Sequence, residues 1–275
     1  MNGNAPKKRP NAFTELMTSK KAKPAPTADD APPARTLEQA KNMAKGFDAR
    51  NGLGVYIEAP ETNPEGRIVE YDDEFVVIRD KFPKASVHLL LLPRDPALYF
   101  QHPLHQLSNN ARFLASCRQR VQRVKQLAAR ELRRQFGDAS RRDAPYQAAL
   151  DTLMASCEGE PSEEQLSKLP EGRDWAKDVV AGVHTHPSMN HLHIHVFSRD
   201  MHSSWMKHKK HYLSFTSSFL VHMDEFPLQR GSERFSPGDW PSWEMKCWRC
   251  GKGFANQFAK LKAHLDDEFE GWVKE

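Results

Sequence analysis

The stretch HLHIHVF, residues 191–197, places three histidines at alternate positions of an otherwise apolar segment. Successive side chains of a β-strand point to opposite faces of a sheet. The alternation therefore predicts a strand with one imidazole face and one core face. The imidazole face carries His191, His193 and His195, and the core face carries Leu192, Ile194 and Val196.

A row of imidazoles on one rigid element is suited to acting as a nucleophile or as a donor to phosphate. Neutral imidazole is a nucleophile and imidazolium donates hydrogen bonds to phosphate, and an unperturbed pKa of about 6.5 makes both forms accessible near neutral pH. Two other interpretations are a polar face on an edge strand and a metal site, which would need a further ligand from elsewhere. Three alternating histidines are improbable by chance, which disfavours the edge strand.

The chain around the triplet predicts an α+β domain with an antiparallel sheet. Residues 69–83 and 86–94 contain strand signals, and DVVAGVHTHP, residues 178–187, predicts the strand before the histidines. Between them, apolar residues over 104–136 recur at helical spacing, which predicts one long helix or two. Residues 137–173 are polar and predict a loop or a partly ordered insertion. The order of strands, helix and strands is typical of this fold class.

Composition bounds the class of protein. The 275 residues are enough for one medium domain with appendages, and 39% of them are hydrophobic. No apolar run reaches the roughly 20 residues of a membrane helix, and the N-terminus lacks the apolar core of a secretory signal. A soluble intracellular protein without a membrane partner is therefore expected. The net charge of +4 is gathered in basic clusters, which suit a polyanionic partner, although ordinary solvated surface explains them equally well.

Residues 1–35 are rich in Lys, Pro, Ala and Asp and predict a disordered basic tail. Lys7, Lys8 and Arg9 form a weak nuclear-import signal, so a nuclear location is expected, with the cytoplasm as the alternative. The segment NAFTELM within the tail is either an amphipathic turn that docks on a protein partner or a chance grouping of apolar residues.

The C-terminal segment CWRCGKGFANQFAKLKAHLDDEFEGW predicts a zinc finger. Its spacing, C-x2-C-x13-H-x3-E, is close to that of the two-cysteine, two-histidine finger with the last histidine replaced by glutamate. The predicted ligands are Cys247, Cys250, His264 and Glu268. Zinc accepts carboxylate oxygen besides sulfur and nitrogen, and Asp267 is the alternative fourth ligand. A small ββα-like finger whose fold depends on the metal is expected.

These motifs together carry a family resemblance. HLHIHVF fills every position of the pattern HΦHΦHΦΦ, with Φ apolar, that is typical of the histidine triad superfamily, and HTHPSMNHLHIHVFSRD resembles its aprataxin branch. RDKFPKASVHLLLLPR and KHKKHYLSF are similar to that branch as well, and its fungal members carry a finger with two cysteines, one histidine and one glutamate. The resemblance covers about residues 38–272. It implies a histidine-triad nucleotidyl hydrolase domain over 36–225, after the tail, and a DNA-binding zinc finger over 226–275.

The resemblance implies a role for each histidine. His193 would attack the α-phosphate of a nucleotide and form a nucleotidyl-histidine intermediate, which water hydrolyses without a catalytic metal. His191 would orient His193 through a ring hydrogen bond, and His195 would contact the phosphate oxygens. His184 would assist near the leaving group, with the adjacent His186 as the alternative.

The resemblance also implies flanking contacts. The expected nucleotide- and phosphate-binding residues are Lys84, His88, Ser188 and Met189. Lys84 could equally be plain surface. The expected DNA-binding residues are Lys207, Lys209, Lys210 and His211. The basic helix within 104–136 and the finger would hold the DNA end as well.

The function implied by the resemblance is a DNA-repair hydrolase. It would remove AMP from 5′-adenylated nicks or breaks left by abortive ligation, with GMP on capped 5′ ends as a second substrate. One alternative is a small-molecule adenosine phosphoramidase or dinucleotide hydrolase, for which the finger would be irrelevant. The other is a non-catalytic zinc-finger DNA-binding adaptor, which would tolerate loss of His193. A monomer is expected because the finger would cover the surface through which histidine triad proteins dimerise.

Overall fold

The computed structural model describes residues 48–63, 65–157 and 159–275. The predicted tail over 1–35 lies outside these residues. None of the helices in the described ranges is long and apolar enough to cross a membrane.

The described strands form one antiparallel sheet in the order β1-β2-β3-β5-β4-β6. The strands are β1 Ile68–Tyr71, β2 Phe75–Arg79, β3 His88–Pro93, β4 Val179–His184, β5 Ile194–Ser198 and β6 Leu220–His222. The predicted α+β class is confirmed. The central pair, β3 and β5, joins two parts of the chain that the helical segment separates in sequence.

Seven α-helices flank the sheet in the described residues. They are α1 Gly54–Glu58, α2 Pro103–Asn109, α3 Ala111–Phe136, α4 Ala144–Ser156, α5 Glu163–Ser167, α6 Lys209–Thr216 and α7 Phe258–Val273. The pattern over 104–136 forms two helices because Asn110 leaves helical geometry and caps α3, accepting a hydrogen bond from the Phe113 N–H at 3.0 Å.

The insertion over 137–173 is more ordered than a loop, since it contains α4 and α5. The buried Asp143 carboxylate anchors its two ends by accepting hydrogen bonds from the Arg173 N–H at 2.7 Å and Trp175 Nε1 at 2.5 Å. The Arg173 guanidinium lies over the rings of Trp175 and Trp272 and donates to the Trp272 carbonyl oxygen at 2.6 Å. The insertion therefore ties the C-terminal helix α7 to the domain.

The two faces of the sheet have different roles. Leu89, Leu91, Ile194 and Val196 pack with α3 in the main hydrophobic core. Because side chains alternate along each strand, His88 on β3 and His195 on β5 point to the opposite face. The long helix and the histidines thus lie on opposite sides of the sheet.

The predicted DNA contact of the basic helix would therefore lie on the side of the sheet away from the histidines. Five arginines of this helix also have partners within the chain. Arg118 donates to the Phe226 carbonyl, Arg120 pairs with Asp72, Arg123 with Glu70 and Arg134 with Glu131, and Arg133 donates to the carbonyls of Glu171 and Arg173. These contacts give part of the arginine-rich surface a structural role.

The histidine strand is shorter than predicted. β5 begins at Ile194, so His195 lies within it and His191 and His193 lie in the segment that leads into it. That segment is held by the Leu192 N–H, which donates to the Tyr99 carbonyl oxygen at 2.7 Å instead of joining the sheet. The core positions Leu192, Ile194 and Val196 are buried, as the alternation predicts.

The C-terminal finger packs into the domain. Met245, Cys247, Leu261 and Leu265 share a buried cluster with Phe197, Tyr212 and Phe215, and Trp272 of α7 joins the main core. The Tyr212 hydroxyl donates to the Lys246 carbonyl oxygen at 2.8 Å and accepts from the Trp248 N–H at 2.9 Å. Apolar burial therefore stabilises the finger in addition to any bound metal.

Gly182 on β4 lies opposite His195, in a position without space for a side chain. A Cβ atom there would lie 2.6 Å from the Val221 carbonyl oxygen and 3.0 Å from Leu220 Cγ. We expect Gly182→Ala to lower the free energy of unfolding by about 1–3 kcal/mol, the usual cost of overpacking, measured by chemical denaturation. Gly159→Ala is the control, since its Cβ would meet nothing within 4 Å. Equal stability of the two variants would contradict the prediction.

Candidate active site and metal centre

Adjacent strands bring the histidines into one buried cluster. His195 on β5 lies between His88 on β3 and His184 at the end of β4, with ring centroids 5.2 Å and 4.5 Å away. The ring of His193 lies 4.8 Å from that of His195. Each of these side chains is buried. By contrast, His186 is exposed and stacks on Phe219, so His184 is the histidine that the fold places in the cluster.

The ring of His193 is oriented by the backbone. Its Nδ1 lies 2.8 Å from the carbonyl oxygen of His191. A carbonyl only accepts hydrogen bonds, so Nδ1 carries the proton and Nε2 keeps its lone pair. The predicted link to His191 therefore runs through its main chain. The imidazole of His191 packs instead on Tyr99 and Phe100, with centroids 5.5 Å and 5.0 Å away.

A chain of hydrogen bonds fixes the proton of His195. The Lys84 N–H donates to Nδ1 of His88 at 3.1 Å, so the proton of neutral His88 lies on Nε2. That Nε2 lies 3.0 Å from Nδ1 of His195 and donates to it. The proton of neutral His195 therefore lies on its own Nε2, a buried atom without a hydrogen-bond partner in the described chain. This N–H is available to a phosphate oxygen.

Asp80 lies beside the link between His88 and His195 and was missed by sequence reasoning. Its Oδ2 lies 3.5 Å from His88 Nε2, and its Oδ1 accepts from the Phe82 N–H at 2.7 Å. The carboxylate attracts the His88 proton and holds the ring in place. The donor atoms of Asp80, His88 and His195 lie within 4.8 Å of one another, a spacing that a cation could also use. The sequence signal that could have revealed Asp80 is the position of this aspartate directly after β2.

Burial keeps the imidazoles neutral at pH 7. Desolvation is the main cause that lowers the pKa of His88 and His191 to about 4 and that of His184 to about 3. Desolvation also lowers the pKa of His193 and His195, partly offset for His193 by the hydrogen bond to the His191 carbonyl. A neutral His193 is the nucleophilic form.

The expected nucleotide-binding residues lie at two ends of the cluster. Lys84 and His88 lie at one end, where Lys84 is 8% exposed and donates through Nζ to the Phe82 carbonyl oxygen. Burial is the main cause that lowers the Lys84 pKa. A plain surface lysine is therefore excluded. We call this region the Lys84 end.

Ser188 and Met189 lie at the other end, beside a segment that sequence reasoning missed. The Ser188 carbonyl oxygen accepts from Arg50 Nε at 3.2 Å, and Met189 packs against the cluster that contains Leu53 and α1. A Cβ atom on Gly54 would lie 3.2 Å from the imidazole of His191. Residues 48–58 thus wall this region, which we call the His191 end.

The basic segment after β5 is only partly exposed. Lys207 and Lys210 face solvent, and Lys209 Nζ contacts the Ser242 carbonyl oxygen at 3.3 Å and Asn256 Oδ1. The contact of His211 with a DNA backbone stays a prediction, and its side chain does not lie on the exposed surface. His211 is 7% exposed, and burial is the main cause that lowers its pKa to about 4. Its neutral ring belongs to the Lys84 end.

The finger residues form a group suited to zinc. Donor atoms of Cys247, Cys250, His264 and Glu268 lie within 4.8 Å of one another. Cys250 Sγ lies 3.2 Å from His264 Nε2, which lies 3.3 Å from Glu268 Oε1. Arg249 holds the other oxygen of Glu268 at 2.6 Å, which orients the carboxylate. Two sulfurs, one nitrogen and one oxygen fit a closed structural zinc site, and Glu268 rather than Asp267 joins the group.

Comparison with known proteins identifies both parts of the chain. A HIT domain model matches residues 61–202, and a C2HE / C2H2 / C2HC zinc-binding finger model matches residues 216–271. An aprataxin-like protein of Schizosaccharomyces pombe is 32% identical over 96% of this chain and 94% of its own length. The chain is a member of the aprataxin family. An aprataxin-like protein of Saccharomyces cerevisiae is 31% identical over 80% of this chain and 95% of its own length.

Solved structures of the aprataxin family have the same fold. The crystal structure of the aprataxin ortholog Hnt3 in complex with DNA has a TM-score of 0.63 and 33% identity, covering 82% of this chain and 97% of that chain. Hnt3 in complex with DNA and guanosine has a TM-score of 0.61 and 32% identity, covering 82% and 98%. Family membership makes this chain a DNA-repair hydrolase of the histidine triad type, with a zinc finger of the fungal kind.

The buried histidines make the stability of this aprataxin-family fold depend on pH. Their folded-state pKa values lie below 6.5, so the unfolded chain binds protons first as the pH falls from 6.5 towards 4. We therefore expect Tm to fall across this window and His184→Asn to show a smaller fall than wild type. His222→Asn, at an exposed position, should follow wild type. Parallel curves for all three proteins would contradict the prediction.

The set of finger ligands predicts that replacing one ligand abolishes zinc binding. Cys247→Ser should reduce zinc from about one ion per chain to near zero, measured by elemental analysis, because the remaining three ligands leave the tetrahedral site incomplete. Cys157→Ser removes a thiol outside the group and should retain zinc. Wild-type zinc content in the Cys247 variant would refute the ligand set.

Proposed function

We propose that this protein removes AMP from 5′-adenylated DNA ends left by abortive ligation. The observation that supports this best is the orientation of His193, whose Nδ1 is held by the His191 carbonyl at 2.8 Å so that the Nε2 lone pair is free to attack phosphorus. The DNA complexes of related Hnt3 structures support DNA as the substrate class.

In the first step, His193 Nε2 forms a bond to the α-phosphorus of the adenylate. The bond from that phosphorus to the bridging oxygen breaks, and the DNA leaves with a 5′-phosphate. His195 Nε2–H donates to a phosphate oxygen as charge develops. The positive ring of the adenylyl-His193 intermediate is stabilised by its Nδ1–H hydrogen bond to the His191 carbonyl.

In the second step, water attacks the same phosphorus and the bond to His193 breaks. The oxygen of water enters AMP, its proton is released, and His193 returns to the neutral form. The proposed cycle uses imidazole donors and needs no catalytic metal. His184, whose ring lies 4.5 Å from His195, is proposed to act near the leaving phosphate.

The two ends of the cluster suggest how the substrate lies. The nucleoside would occupy the His191 end, where the partly buried Met189 packs on the apolar cluster that contains Leu53. The DNA would leave through the Lys84 end, near the exposed cations Lys207 and Lys210. On the finger, the exposed Lys252 would contact the backbone of a nicked or broken duplex.

A second substrate, a cellular location and a protein partner are proposed as well. GMP on capped 5′ ends is a second proposed substrate, supported by the guanosine bound in a related Hnt3 structure. The proposed location is the nucleus, where 5′-adenylated DNA arises. A protein partner for the tail over 1–35 also remains a proposal.

The nucleophile assignment predicts loss of chemistry without loss of binding. His193→Ala should lower AMP release from a 5′-adenylated nicked duplex by several orders of magnitude, as loss of a nucleophile does, while DNA affinity stays within about twofold. Products would be resolved by size. His222→Ala, at an exposed position on β6, is the matched control.

Two outcomes would contradict the proposal. Deadenylation by His193→Ala at near wild-type rate would show that another group attacks phosphorus. Failure of wild type to act on the duplex, with hydrolysis of adenosine phosphoramidate instead, would assign the protein to small-molecule substrates.

A further inference from the structure

Two aromatic rings are exposed beside the Lys84 end. Phe82 is 43% exposed and Trp205 is 37% exposed, although most large apolar side chains in the described ranges are buried. Their ring centroids lie 4.8 Å apart in an edge-to-face arrangement, with planes at 70°. The two residues come from distant parts of the chain, Phe82 from the turn after β2 and Trp205 from the turn before α6. We call them the aromatic pair.

The main-chain carbonyl groups of the aromatic pair form hydrogen bonds with two side chains of the Lys84 end. The Phe82 carbonyl oxygen accepts from Lys84 Nζ, and the Trp205 carbonyl oxygen lies 3.1 Å from His211 Nδ1. Both hydrogen-bonded side chains are buried, whereas the rings of the pair face solvent. Each ring therefore lies within about one side-chain length of the Lys84 end.

Positive charge accompanies the rings. Lys207 Nζ lies 4.2 Å from the centroid of the Trp205 ring, a cation–π contact. Lys207 is close enough to the buried ammonium of Lys84 to contribute to lowering its pKa. A cation on an exposed ring next to a phosphate site is suited to binding a nucleic-acid strand. Every nucleotide of such a strand presents both a phosphate and a π face.

We propose that the aromatic pair is a stacking platform for a nucleobase of the DNA strand that carries the 5′ adenylate. The proposal rests on the proposed function and adds a binding site to it. The adenylate occupies the cluster, its leaving phosphate lies at the Lys84 end, and a base near that 5′ end stacks on the exposed rings. Lys207 contacts the adjoining phosphate. Because every base has a π face, the platform holds the strand without reading its sequence.

The test compares two substrates for each variant. The first substrate is a 5′-adenylated nicked duplex and the second is adenosine phosphoramidate, which has no DNA strand. Trp205→Ala and Phe82→Ala should each lower the ratio of kcat/KM for DNA to kcat/KM for phosphoramidate by about tenfold, the scale of one lost stacking contact. The side-chain changes keep both carbonyl oxygens that bond to Lys84 and His211.

The control variant is Tyr71→Ala, whose ring is 47% exposed on β1 at the edge of the sheet. It removes a comparable exposed ring and should leave the substrate ratio unchanged. A second measurement places 2-aminopurine at each of the first nucleotides of the adenylated strand. Quenching of its fluorescence on binding should be strong at one position with wild type and weak with Trp205→Ala.

The outcomes separate this inference from the proposed function. Failure of wild type to deadenylate the duplex would overturn the proposed function and the platform with it. Deadenylation by wild type with an unchanged substrate ratio in both variants would overturn the platform alone. An equal fall on both substrates would also overturn it, because the rings would then support the catalytic cluster and not the strand.

Discussion

Antiparallel pairing of β3 with β5 places His88 and His195 on one face of the sheet, with Nε2 and Nδ1 only 3.0 Å apart. This contact joins the two parts of the sequence that form the site. It also transmits the hydrogen bond from the Lys84 main chain through His88, which leaves the Nε2–H of His195 free. A change in register by one residue would move these rings to the α3 side of the sheet. The pairing therefore determines both where the imidazoles lie and which atoms they present.

Burial determines the protonation state of the histidine cluster. The imidazoles are closely packed, and the protonated forms would repel one another in a region that water scarcely reaches. The same desolvation that keeps His193 neutral makes fixed hydrogen-bond donors effective near a phosphate. The charged groups Lys84 and Asp80 are placed at one end, where each is bonded to the turn that contains Phe82. In the proposed binding mode, the departing 5′-phosphate passes this charged end.

The finger and the histidine-bearing strand β5 are parts of one packed unit. Phe197 of β5 lies in the same buried cluster as Cys247 and Leu261 of the finger, and Tyr212 of α6 bonds to the main chain on both sides of Cys247. The insertion over 137–173 secures the other end of α7 through Arg173. Held in this way, the finger keeps a fixed distance from the histidines. This geometry supports the proposed function, in which a DNA end is positioned beside His193.

Local spacing in the sequence determined the features that need no distant partner. It predicted the α+β class, the buried alternation of Leu192, Ile194 and Val196, and the set of finger ligands, because alternation in a strand and one turn of a helix fix those positions. Tertiary structure alone decided the rest. The role of the His191 carbonyl depends on where β5 begins, and β5 begins where pairing with β3 ends. Asp80, the buried state of His211 and the opposite placement of α3 depend on which segments meet across the sheet. The pattern within a single segment does not specify these contacts between distant segments, because the contacts depend on strand register and burial.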